Sequence, residues 1–190
     1  MPRVDGGNMR KGCAVVLLVA MVFAGIGWRA GETAADGELP RDAALRATFA
    51  RQEPEFETLL AMLRQDGHLW RVGFDFAYVD TLVGTPPRAP TREELPAARW
   101  DEYRRLFRVL GLANGATRQW EGDAAEAIYL PAAVVPRGVV DSEEKGFAYW
   151  SGTPEPLLES LDAPTLPVQH AQSAYVRLKD RWYLYRRYNE

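Results

Sequence analysis

The side chains that could carry acid–base or metal chemistry are few in this sequence and lie far apart. Its two histidines are His68 and His170, and its one cysteine is Cys13. A metal site needs clustered ligands, so we expect neither a bound metal nor another cofactor. An enzyme would need its fold to gather titratable groups from several elements into one pocket. The candidates for such a pocket are His68, Asp75, Glu121, His170 and Asp180.

The short motifs that mark common enzymes are missing from the sequence. It contains no glycine-rich phosphate loop and no nucleophile-elbow pattern. The adjacent carboxylates Glu143 and Glu144 would diverge on a strand, so they do not make an acid–base pair. We therefore assign no catalytic residue, and the sequence favours a role other than catalysis.

Two aromatic strings, Lys145–Trp150 and Arg181–Tyr188, are the most distinctive local features. On a strand, Trp182 would lie on one face while Tyr183 and Tyr185 would lie on the other. Tyr, Trp and Arg are enriched at protein-interface hot spots. The predicted binding residues are Tyr183, Tyr185, Arg186 and Tyr149. The alternative is core packing, and joint exposure of the first three residues would distinguish the two interpretations.

Periodicity predicts the elements that would position these residues. Apolar residues from Leu45 to Leu63 recur at helical spacing around Pro54, and alternation over residues 70–78 predicts one strand. Thr91 and Glu94 form a capping-box pattern before a helix that Gly111 would end.

The second half of the chain is predicted to be mostly strands. We expect strands at residues 117–121, 127–135 and 146–151, a short helix at 153–161, and a hairpin of 174–178 with 181–188. Pro131 would place the second strand at an edge or in a bulge. The expected class is α+β, with two or three helices on one face of a mainly antiparallel sheet of four to five strands.

An uncharged apolar run at residues 12–28 dominates the N-terminus. As a helix it would be about 26 Å long, close to the thickness of a bilayer core. Basic residues precede it, which predicts a cytoplasmic N-terminus and a C-terminal domain outside the cytoplasm. The predicted anchor residues are Cys13, Leu17, Leu18, Phe23 and Trp28. A cleaved signal peptide is the alternative, and translation could start at Met1 or Met9.

Domain boundaries follow from this run. Residues 1–29 would be the anchor, 30–40 a linker and 41–190 one extracytoplasmic domain. Outside residues 1–29 the chain has 19 basic and 25 acidic residues, a formal charge of −6. No basic stripe remains for a phosphate backbone, so nucleic acid is not an expected partner.

The helical strings Phe56–Leu63 and Tyr103–Phe107, followed by the two aromatic strings, resemble small uncharacterised bacterial envelope proteins that join a signal or anchor to one domain. The resemblance covers about residues 42–188 and implies no catalytic residues. Many such proteins are lipoproteins, whereas Cys13 precedes most of the apolar run instead of following it. We expect a membrane-anchored extracytoplasmic binding module, of inhibitor or immunity type, with an envelope protein as partner. The alternatives are an envelope hydrolase without a recognisable motif and a structural component of a membrane complex.

Overall fold

The computed structural model describes residues 38–79, 88–121, 125–139, 141–164 and 173–189. Their fold is α+β, with two helices and a seven-stranded antiparallel sheet in the order β2-β1-β3-β4-β5-β7-β6. The sheet is thus larger than the four to five strands expected. The elements are α1 (Asp42–Gln65), β1 (Leu69–Val72), β2 (Ala77–Val79), α2 (Ala97–Leu110), β3 (Ala116–Glu121), β4 (Ala125–Pro136), β5 (Ser142–Trp150), β6 (Ser173–Lys179) and β7 (Trp182–Asn189).

The first helix forms where apolar periodicity predicts it. Pro54 lies inside α1, and Gln52 has non-helical backbone angles (φ −121°, ψ 22°), so the helix kinks there and continues. No helix within the described residues is both long enough and apolar enough to cross a membrane. The predicted anchor, residues 12–28, lies outside the described residues.

The single strand predicted at residues 70–78 is wrong, because the chain reverses within it. The amide of Gly73 donates to the carbonyl of Phe76 (2.9 Å), and β1 pairs with β2 as a short hairpin. A side chain at Gly73 would meet the Phe76 ring at 2.5 Å, which favours glycine at this close turn. The alternation does not continue across the turn, because Val72 pairs with Ala77 and both are buried, whereas Tyr78 pairs with Arg71. The turn therefore places Val72 and Tyr78 on opposite faces of the sheet, which a local pattern of alternation does not show.

The capping box forms, but it does not begin the helix. The Thr91 amide donates to Glu94 Oε2 (2.7 Å), and the Glu94 amide donates to Thr91 Oγ1 (3.3 Å). These bonds close a separate turn, and α2 starts later, after Pro96. The helix ends at Gly111 in the left-handed conformation (φ 66°), as predicted.

The predicted β-bulge at Pro131 is confirmed, since the β4–β5 register shifts between Pro131 and Ala133. The predicted helix at 153–161 is wrong. This segment bonds to β6 instead: the Leu158 amide donates to Tyr175, and the Tyr175 amide donates to Pro156. Backbone groups that form hydrogen bonds with a neighbouring strand are not available for the hydrogen bonds of a helix.

The two faces of the sheet carry different cores. The helix-side core contains Phe49 and Phe56 of α1 against Phe147 and Trp182, with ring centroids 4.6–6.4 Å apart. The opposite face carries a second cluster that contains no residue of either helix. Its aromatic members are Tyr129, Trp150, Tyr175, Tyr183 and Tyr185. The predicted alternation along β7 is therefore confirmed.

Candidate functional site

The structure buries the four predicted binding residues and does not place them all on one face of the sheet. Tyr183, Tyr185 and Arg186 are 1%, 0% and 8% exposed, so the condition of joint exposure is not met. Tyr149 is also buried and belongs to the helix-side core, whereas Tyr183 and Tyr185 belong to the second cluster. These residues do not form one contact surface on the folded domain.

The second cluster is held together by contacts between aromatic rings and by an arginine that packs on one of them. The rings of Tyr129 and Tyr185 are 5.0 Å apart, and the Tyr129 and Tyr175 hydroxyls share a hydrogen bond of 2.8 Å. The Arg187 guanidinium lies 4.1 Å from the Tyr129 ring centroid. Burial raises the pKa of Tyr185, and the nearby Glu144 carboxylate raises it further. This arrangement matches the core-packing interpretation.

An exposed tryptophan lies on the helix side of the sheet, near the end of α1. Trp120 of β3 is 66% exposed and pairs across the ladder with Glu126 of β4. Glu126 forms ion pairs with Arg64 and Arg118, both at 3.2 Å. Arg118 is buried and donates to the carbonyls of Leu63 and Gly67 at the end of α1.

Arginines extend this exposed area toward β5 and β7. The Arg64 guanidinium lies 4.7 Å from the Tyr149 ring centroid, and Arg181 donates to the Tyr149 hydroxyl at 3.5 Å. We call the area formed by Trp120, Arg64, Glu126 and Arg181 the Trp120 surface. Sequence reasoning missed it, although Trp120 follows Arg118 at strand spacing near the end of a predicted strand.

A cavity of about 610 Å³ lies at the opposite end of β5. Arg186, one of the predicted binding residues, contributes to its wall. The lining residues are Glu38, Leu39, Arg41, Arg137, Lys145, Leu161, Asp162, Ala163, Pro164 and Arg186.

A buried ammonium joins three elements beside this cavity. Lys145 is 1% exposed, and its Nζ lies 2.8 Å from Asp42 Oδ1 and 2.6 Å from Asp162 Oδ1. The Asp42 amide also donates to Asp162 Oδ1 (2.9 Å). Partial burial opposes ionisation of Asp162, yet its pKa lies below the usual value because Lys145 and the Asp42 amide donate to it.

Arg186 fixes the loop that forms another wall of the cavity. It pairs with Glu143 (2.5 Å) and donates to the carbonyls of Leu161 (2.9 Å) and Ala163. Arg137 binds the other oxygen of Glu143 (2.7 Å). These contacts pair each charged group with an opposite charge or a carbonyl of the same domain, so they are explained by the fold alone.

The candidate catalytic groups are not gathered where the structure describes them. His68 Nε2 lies 2.8 Å from the Glu94 carbonyl, while Asp75 and Asp180 are exposed on two other turns. No hydrogen bond joins these three residues in the described part of the chain. The side chains of Glu121 and His170 lie outside the described residues. Among described residues, no group of three or more His, Cys, Asp or Glu could hold a metal.

Comparisons with known protein families, with curated proteins and with solved structures find no match. The resemblance to bacterial envelope proteins therefore stays a prediction from the sequence.

Proposed function

We propose that this protein is a membrane-anchored binding module of a bacterial envelope, which contacts a protein partner outside the cytoplasm through the Trp120 surface. The observation that carries the proposal is the 66% exposure of Trp120. A tryptophan offers a large apolar area together with an N–H donor, and buried tryptophans dominate many interfaces. In the free domain most of this area faces water.

The surroundings of Trp120 support a binding role. Arg64 and Arg181 provide a polar rim, a common arrangement around an apolar hot spot. The ladder between β3 and β4 and the bonds of Arg118 to the end of α1 hold the strand in place. A contact residue on a rigid strand loses little conformational freedom on binding.

The membrane anchor in this proposal is supported by the sequence of residues 12–28 and by the basic residues before it. An inhibitor- or immunity-type protein is the specific version we propose. Such a protein would meet a toxin or a hydrolase outside the cytoplasm and would bind it through a stable surface.

The test places a photo-crosslinking amino acid at position 120 of the full-length protein in its native envelope. The matched control carries the same amino acid at Leu157, which is also exposed but lies outside the Trp120 surface. We expect a discrete adduct with one protein at position 120 and none at 157. Failure to crosslink at 120, or the same adducts at both positions, would contradict the proposed surface.

A further inference from the structure

In the wall of the cavity beside Lys145, two donors hold the side-chain carboxylate of Asp162 in position. Asp162 Oδ1 accepts from the Lys145 ammonium (2.6 Å) and from the amide of Asp42 at the start of α1 (2.9 Å). The start of a helix favours negative charge. Asp162 itself is on an exposed loop, so the wall combines a buried cation with a solvent-accessible carboxylate.

Basic side chains in the cavity wall outnumber acidic ones. Four of the lining residues are cationic and two, Glu38 and Asp162, are anionic. The lining cations are Arg41, Arg137, Lys145 and Arg186. Lys145 and Arg186 are occupied by the fold, so a ligand would have to use the other two.

Two guanidiniums in this wall keep donors that the fold does not use. Arg41 is exposed and makes no side-chain hydrogen bond or ion pair among the described residues. Arg137 binds Glu143 through Nε and Nη2, while its Nη1 has no partner in the described part of the chain. Guanidinium groups suit the planar geometry of a carboxylate.

We propose that this cavity binds a small carboxylate-bearing ligand, held by Arg41 and Arg137 next to the carboxylate of Asp162. A volume of about 610 Å³ accommodates a small molecule. The cavity and the Trp120 surface lie at opposite ends of β5, because Lys145 pairs with Arg186 while Tyr149 pairs with Trp182. The ligand site therefore does not depend on the proposed protein contact.

The test is calorimetric titration of the full-length protein in detergent micelles with succinate, and separately with inorganic phosphate, at constant ionic strength. We expect saturable binding of succinate. Arg41→Gln should weaken it about tenfold, since one charge-assisted hydrogen-bonding group is lost. Arg51→Gln, at an exposed arginine of α1 that lies outside the cavity, should leave the affinity unchanged.

A second variant separates ligand binding from a structural role. Asp162→Asn removes a negative charge from the wall, so it should tighten succinate binding, and unchanged or weaker binding would contradict a site beside this carboxylate. Trp120→Ala should not change the succinate affinity, which lets the two proposals fail separately. The ligand assignment would be overturned by absent or unsaturable succinate binding, by equal affinities in the two arginine variants, or by Arg41-dependent binding of phosphate alone.

Discussion

Lys145 shows how one buried charge can connect a helix, a strand and a loop. Its ammonium is the partner of Asp42 at the start of α1 and of Asp162 on the loop after β5. Asp42 is itself buried and accepts from Ser160 and from the Leu161 amide. Without the ammonium, a carboxylate would remain inside the protein with less compensation.

Lys145→Met should therefore lower the free energy of unfolding by about 3–5 kcal/mol, because it leaves Asp42 buried without its cation. Urea unfolding followed by tryptophan fluorescence measures this change. The control is Lys179→Met, whose pair with Glu53 is exposed to solvent and should contribute much less to stability. Equal losses in both variants would show that Lys145 does not hold these elements together.

Glu94 gives a prediction about pH. The Arg88 guanidinium and the Thr91 amide donate to this carboxylate and lower its pKa to about 2, from an ordinary value of 4.5. A lowered pKa stabilises the fold above the ordinary value, and that stability is lost as pH falls toward the folded value.

Glu94→Gln should lower the melting temperature at pH 7, and the difference from the unsubstituted protein should shrink as the pH falls from 4.5 toward 2. Thermal unfolding across this range measures the effect. Glu93→Gln is the control, since Glu93 is exposed and makes no side-chain hydrogen bond among the described residues. A difference that does not depend on pH would argue against the ion pair.

At the scale of elements, β4 and β5 approach very closely at the bulge. A side chain on Gly146 would place its Cβ 2.2 Å from the Leu130 carbonyl oxygen and 2.7 Å from the Ala132 amide nitrogen. Both contacts are with backbone, so no side chain can move aside. The bulge therefore requires glycine at position 146.

Gly146→Ala should destabilise the protein by about 3 kcal/mol, because it pushes two central strands apart. Gly152→Ala is the matched control, since its Cβ would meet nothing closer than 3.9 Å. Chemical denaturation of both variants gives the comparison. If Gly146→Ala were as stable as the control, the register of β4 against β5 would be wrong.

The elements that sequence patterns predicted well have local causes. The helical periodicity around Phe49 and Phe56, the stop at Gly111 and the bulge at Pro131 each depend on neighbouring residues. The errors at residues 70–78 and 153–161 have a different origin. In both segments, hydrogen bonds to another strand or across a turn decide the structure, and a local pattern does not contain that information.

At the scale of the whole molecule, the cavity could not be predicted because it depends on strand order. Its wall joins the start of α1, the β4–β5 connection, the loop at 161–164 and β7. Arg186 reaches Glu143 only because β7 lies next to β5. The exposure of Trp120 likewise depends on where α1 ends over the sheet. The sequence indicated only the residue types of a binding surface, aromatic residues and arginine, and not its position.

The location of the folded domain is tested most directly by thiol labelling, since Cys13 is the one cysteine of the chain. In a Cys13→Ser background, Gly152→Cys adds a single thiol at an exposed position. Spheroplasts are treated with a membrane-impermeant maleimide before and after lysis. A membrane-anchored domain outside the cytoplasm predicts full labelling before lysis, with the product in the membrane fraction. Labelling only after lysis, or a product in the soluble fraction, would contradict it.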